Sequence, residues 1–125
     1  TIMLACTNQE NNFTSFRTKD MDAFVQDHAD KYLDKVDIIK SAMDKFDESF
    51  DEIKIPITSI SMILFAGYRI MKDKKSFSKL VDIINEFLLG YESNEQYKQY
   101  VQSGTSSSEN VRGRFDYWRN LIRNA

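Results

Sequence analysis

From Val25 onward apolar residues return at Tyr32, Val36, Ile39, Met43, Phe46, Phe50 and Ile53, with His28 or Ala29 filling the first gap. Steps of three and four residues make one stripe of an amphipathic helix and do not fit the alternation of a strand. The pattern predicts a long helix near residues 19–53, with Ala29 as the place where it would break. Thr18 is its expected N-cap, because Asp20 and Asp22 follow in the first turn, where the helix dipole favours negative charge.

Pro56, between Ile55 and Ile57, should end that helix, since proline lacks a donor and forces its predecessor out of the α region. Thr58 or Ser59 would cap a new helix. Between Ile60 and Met71 apolar residues occur on all sides, as in a helix covered by neighbours, so residues 58–72 are expected to be the buried centre. Asp73, Lys74 and Lys75 should turn the chain, and Ser76 should cap a helix from Phe77 to Leu89. Gly90 stands where a left-handed terminator is wanted. Ser93, with Gln96 as its capping-box partner, predicts a short helix to about Gln102.

The last segment carries the strongest entry signal. Gly104 and Thr105 lead into Ser106, with Glu109 three residues later, which is the capping-box spacing. The helix it opens has Val111, Phe115, Trp118 and Ile122 on one face. Gly113 inside it costs about 1 kcal/mol relative to alanine, so it is expected to mark close packing. At the other end Ile2, Met3, Leu4, Ala5 and Cys6 form an apolar run too short for a membrane span, and it reads as the trailing turn of a helix. The chain is therefore expected to be a fragment of a longer protein. Phe13 and Phe16 should lie against the core. The sum is an all-α single helical bundle of about five to seven helices, with residues 1–125 as one domain.

Composition agrees with this. The chain is 42% apolar and 29% charged, with one proline and four glycines. A formal net charge of −2 gives no global attraction to nucleic acid or anionic membrane, so any such contact must be local. Cys6 is the only cysteine, which excludes an internal disulfide and fits a reducing, cytoplasmic setting.

Candidate chemistry is sparse. Asp27, Asp30, Asp34 and Asp37 are spaced like ligands on adjacent helical turns, but lysines such as Lys31 and Lys35 are interleaved, which favours a solvated acidic face. The alternative reading of that face is a dock for a basic partner. His28 is the only histidine, and neither a zinc-type ligand cluster nor a phosphate-binding glycine loop is present. No catalytic residue, metal or cofactor is assigned. Arg69, Lys72, Lys74, Lys75 and Lys79 cluster around one turn with Asp73 among them, and Arg112, Arg114, Arg119 and Arg123 follow in the last helix. Beside Trp118 they are the candidate contacts to nucleic acid or a partner, through phosphate pairing and base stacking. The competing reading pairs them with the acidic helix. Tyr91, Tyr97, Tyr100 and Tyr117 join Trp118 as a core edge, or alternatively an interface.

The order of these parts resembles the α-helical C-terminal portion of prokaryotic proteins built on the ParB and sulfiredoxin-like nuclease domain, known as domain-of-unknown-function family two-six-two. The resemblance runs from the apolar helix end through Phe13 to Phe16, the long helix and the buried helix. It continues through Tyr97 to Val101 and Gly104 to Ser108, and closes on Val111, Arg112, Arg114, Phe115 and Trp118. Family members are often defence proteins whose N-terminal domain hydrolyses nucleotide or cuts DNA. Their catalytic motifs, of Tyr-Gln-Arg and Asp-Gly-Gln-Arg type, do not occur here. The resemblance thus implies a non-enzymatic accessory module that packs on or positions an N-terminal nuclease-like domain, with weak DNA contact and no membrane. The alternative is a small helical adaptor or inhibitor that docks through its acidic face.

Overall fold

In the computed structural model, residues 1–6, 15–28, 32–52, 54–123 and 125 are described. The expectations at Phe13, Ala29, Asp30, Lys31 and Ile53, and the side chain of His28, lie outside them. The described residues form α1 (Ile2–Cys6), α2 (Thr18–His28), α3 (Leu33–Ser49), α4 (Ile60–Lys72), α5 (Phe77–Gly90), α6 (Glu95–Lys98) and α7 (Ser108–Ile122). Short 3₁₀ turns at Ile57–Ser59 and Tyr91–Ser93 precede α4 and follow α5. The all-α bundle expected from periodicity is the fold.

Its centre is α4, which buries Met62, Ile63, Phe65, Ala66, Gly67, Tyr68 and Ile70. Three helices cover it. A Cβ on Gly67 would come 2.7 Å from the Phe46 ring and 3.1 Å from Ala42 Cβ, so the missing side chain is what lets α3 approach. On another side Phe115 of α7 meets Phe65 with ring centres 4.9 Å apart. Leu80, Ile84 and Phe87 of α5 close the core, and α1 adds Met3 and Leu4. Phe16 packs against this cluster as expected. Among the described residues no helix is long and apolar enough to cross a membrane.

The helix predicted over 19–53, with its expected break near Ala29, is present as α2 and α3, with Tyr32 outside helical geometry at φ −122°, ψ 7°, and α3 ends well before Pro56. The Ser49 hydroxyl donates to the Lys45 carbonyl at 2.6 Å, and Phe50 then turns extended at φ −131°, ψ 126°. The Phe50 ring lies 6.5 Å from that of Phe46, its i,i+4 neighbour. Pro56 opens the 3₁₀ turn instead, its carbonyl accepting from the Ser59 N–H at 2.8 Å. The predicted stripe holds at Ile39, Phe46 and Phe50, which meet the core, and fails at Met43 and Val25. Ile39 and Ala42 are buried, whereas Met43 is 50% and Val25 56% exposed.

Three terminators differ from their predicted form. Gly90 has φ −92° and passes the chain into the next 3₁₀ turn, whereas Lys74 takes the left-handed conformation at φ 54°. Around Lys74 the Lys75 N–H bonds the Ile70 carbonyl at 2.9 Å and the Lys74 N–H bonds that of Met71 at 3.1 Å. This is the Schellman pattern, which satisfies the last carbonyls of α4. The cap of α6 is Asn94, accepting from the Tyr97 N–H at 3.0 Å, not Ser93. The cap of α7 is Ser107, one residue beyond Ser106, accepting from the Asn110 N–H at 3.3 Å. The Ser107 N–H goes to the Gly104 carbonyl at 3.0 Å in place of a capping-box side chain, and the Asn110 amide donates to two loop carbonyls, Ser103 and Gly104, each at 2.9 Å.

Candidate functional site

The cationic residues predicted from sequence divide into three situations. Lys72, Lys74, Lys75 and Lys79 are exposed around the α4–α5 turn, and Arg112, Arg119 and Arg123 are exposed on α7. Two of these segments meet, because Lys75 Nζ donates to the Arg123 carbonyl at 3.1 Å. A cation on the last carbonyls of a helix also opposes the negative end of its dipole. The α4–α5 turn and the C-terminal turn of α7 thus form one cationic end of the bundle.

Several of these charges already have local partners. Asp116 sits between Arg112 Nε, at 3.7 Å, and Arg119 Nη2, at 3.2 Å, while Arg69 pairs with Asp73 at 3.5 Å. Lys72 lies 5.8 Å from the centre of the Tyr68 ring and Arg119 5.7 Å from that of Phe115. The ion partners of Arg69 and Arg119 are therefore on their own helix or at its end, and not on the acidic α2 or α3.

Arg114 and Trp118 are not surface contacts at all. They are 2% and 1% exposed. Arg114 Nη1 donates to the Tyr100 carbonyl at 2.9 Å, and its Nε is buried without a hydrogen bond. Burial pulls the Arg114 guanidinium below its ordinary pKa, with the Tyr97 phenol opposing. Trp118 Nε1 donates to the Tyr97 hydroxyl at 3.3 Å, and that hydroxyl also bonds Ser59 Oγ. With its indole packed on Phe87, ring centres 4.6 Å apart, Trp118 has no face left for a base. Spacing held the signal, since Arg114 lies one turn after Val111 and one before Trp118 on the buried face.

The aromatic cluster is a core edge. Tyr97 is fully buried, while Tyr91, Tyr100 and Tyr117 are half-buried. Phe87 meets Tyr91, Tyr97 and Tyr117 at centroid distances of 5.6, 4.9 and 6.1 Å, and Asn94 Nδ2 donates to the Tyr117 hydroxyl at 2.8 Å. Gly113 does mark close packing: a Cβ there would fall 2.3 Å from the Tyr100 ring.

A cleft of about 590 Å³ lies at the far end of α5, lined by Phe50, Glu52, Lys54, Ile55, Pro56, Asn85, Leu88, Tyr91 and Glu92. Of these residues only Tyr91 is singled out from sequence, as a core edge or alternatively an interface. The available signal was the adjacent pair Leu88 and Leu89, since a helix with one buried face cannot turn both inward.

Among the described residues no group of three His, Cys, Asp or Glu side chains could hold a metal ion. Asp27, Asp34 and Asp37 of the suspected ladder are exposed, with Asp34 3.6 Å from Lys35. Comparison with protein-family models, with curated proteins and with solved structures found no match.

Proposed function

We propose that this chain acts by binding and not by turnover, as a helical accessory module of a prokaryotic defence or restriction-type nuclease. In this reading its cationic end touches the phosphate backbone of the DNA that a neighbouring nuclease domain handles. The observation that carries it is the bond from Lys75 Nζ to the Arg123 carbonyl, which brings two cationic segments distant in sequence to one surface. The exposed side chains of Lys74, Lys79 and Arg123 supply the charge. Contacts of this kind position a protein on DNA without reading its sequence. The parent nuclease comes from the family resemblance alone.

The test is a fluorescence-anisotropy titration of labelled duplex DNA at about 50 and 200 mM salt. With about four phosphate contacts, counterion release weakens binding roughly 100-fold between these conditions. The variant Lys74→Glu/Lys79→Glu/Arg123→Glu should lose this binding and keep its melting temperature. Salt-insensitive binding, or binding retained by the variant, would overturn the reading.

A second reading, an adaptor that docks a basic protein on its acidic helices, is favoured by Met21, Val25, Leu33 and Met43. These large apolar side chains stand exposed on α2 and α3 among carboxylates.

A further inference from the structure

The cleft at the C-terminal end of α5 combines an apolar floor with an acidic border. Phe50, Ile55, Pro56, Leu88 and Tyr91 supply the floor. Beside it two large apolar residues stand in water: Leu89, next to Leu88, is 89% exposed, and Ile57, next to Pro56, is 84% exposed. Isolated exposed leucines are ordinary on a protein surface, but here they extend a groove that is already apolar.

Charge around the groove has one dominant sign. Glu52 and Glu92 line it. On α5, Asp82, Asn85, Glu86 and Leu89 recur at helical spacing and are all exposed, so the border of the groove continues as an acidic ridge. Asp51 adds a further exposed carboxylate. Opposing them are Lys54 in the lining and Lys98, whose Nζ donates to the Glu92 carbonyl at 2.6 Å and lies 3.4 Å from its carboxylate. Five carboxylates against two lysines leave the surroundings negative.

We propose that this groove binds a basic amphipathic segment of another protein, with leucine-like anchors on the apolar floor and Lys or Arg side chains on the acidic ridge. A small molecule seated in the cleft would leave Leu89 and Ile57 in water. A polypeptide segment laid along the groove covers both, and anchors at i, i+3 or i+4 and i+7 match the way amphipathic helices occupy grooves. The carboxylates select the sign of the partner and raise its association rate. The groove lies at the opposite end of α5 from the α4–α5 turn, about 20 Å away for a 14-residue helix. Protein docking here is therefore independent of phosphate contact at the cationic end.

The test uses fluorescein-labelled 14-residue peptides that carry Leu at i, i+3, i+7 and i+10 with Lys at the other positions, and the same pattern with Glu in place of Lys. Full-chain protein is titrated with each. The lysine peptide should bind at least tenfold more tightly than the glutamate peptide. Leu89→Asp, and separately Glu52→Lys/Glu92→Lys, should each weaken it at least tenfold. Both alter exposed side chains, so their melting temperatures should stay near that of the wild type. Lys74→Glu/Arg123→Glu, at the other end of α5, should not weaken the peptide. Amide shift changes should centre on residues 50–57 and 85–92. The proposal is overturned by failure of the lysine peptide to bind, by equal binding to the groove variants, or by shift changes centred elsewhere. A wild-type dimer that Leu89→Asp makes monomeric would also overturn it, because the groove would then belong to a second copy of this chain.

Discussion

Helices α2 and α7 each have an acidic residue in the first turn and carry apolar residues at helical spacing, yet they end in opposite situations. α7 buries Val111, Arg114, Phe115, Trp118 and Ile122. Among its described side chains α2 buries none to a comparable degree, holds Phe24 only half-buried and leaves Met21 and Val25 exposed. The difference is one of complementary surface. α7 meets Phe65 on α4, Phe87 on α5 and Tyr97 on α6, so its aromatic face is enclosed by other aromatics. An apolar stripe therefore shows that a helix has a side to bury, and only its neighbours decide whether that side is covered.

The contrast is widest for a charge placed on each surface. Phe65→Asp, beneath α7, should cost at least ~4 kcal/mol, because it removes a buried ring and inserts a carboxylate without a partner. A loss of that size is comparable to the whole stability of a small domain. Val25→Asp on α2 should change stability by less than about 0.5 kcal/mol. Thermal or urea melts of both variants check this, and a near-normal melt for Phe65→Asp would break the comparison.

A smaller effect is expected at the hydroxyl that ties α6 to α7. Tyr97→Phe leaves Ser59 and the Trp118 indole N–H without their buried partner and should cost about 2 kcal/mol at neutral pH. Burial pushes the Tyr97 phenol above its ordinary value, with the hydrogen bonds from Ser59 and Trp118 and the charge of Arg114 opposing. An acid whose folded pKa is raised contributes stability that is complete below the unfolded value, near 10, and is lost as pH rises through the folded one. Stability should accordingly fall in that alkaline window, and fall less steeply in Tyr97→Phe. Urea titrations across pH 8 to 11 measure the slope.

The smallest difference separates two glycines. Gly113→Ala sets a Cβ against the base of the Tyr100 ring, an overpacking of about 1–3 kcal/mol offset by about 1 kcal/mol of helix propensity, so a net loss of about 1 kcal/mol is expected. Gly90→Ala meets nothing within 4 Å and should gain up to ~1 kcal/mol. Tyr100→Ala should rescue the first variant in a double-mutant cycle and leave the second unchanged.

Local chemistry made much of the fold legible. The central helix, the Ser76 cap, the turn at Asp73 to Lys75 and the buried face of α7 follow from spacing and capping residues within a few positions of each other. Less of the candidate site was legible. Arg114 and Trp118 have the composition of a nucleic-acid contact, but the partners that enclose them, Tyr97, Tyr100 and Phe87, come from other segments of the chain. Beyond the adjacent Leu88 and Leu89, the groove left no mark in the sequence, because Phe50 and Ile55 meet Leu88 and Tyr91 only after the chain leaves α3 and returns through α4.

The amino-acid order by itself determined that the chain is helical, where most helices begin, and that α4 lies at the centre. Those properties depend on interactions between near neighbours along the chain, whose geometry a helix fixes in advance. The tertiary structure alone decided which cations stay on the surface, which apolar side chains remain in water and which end of α5 carries which charge. Burial and net local charge are sums over residues from distant segments, and only packing brings those residues together.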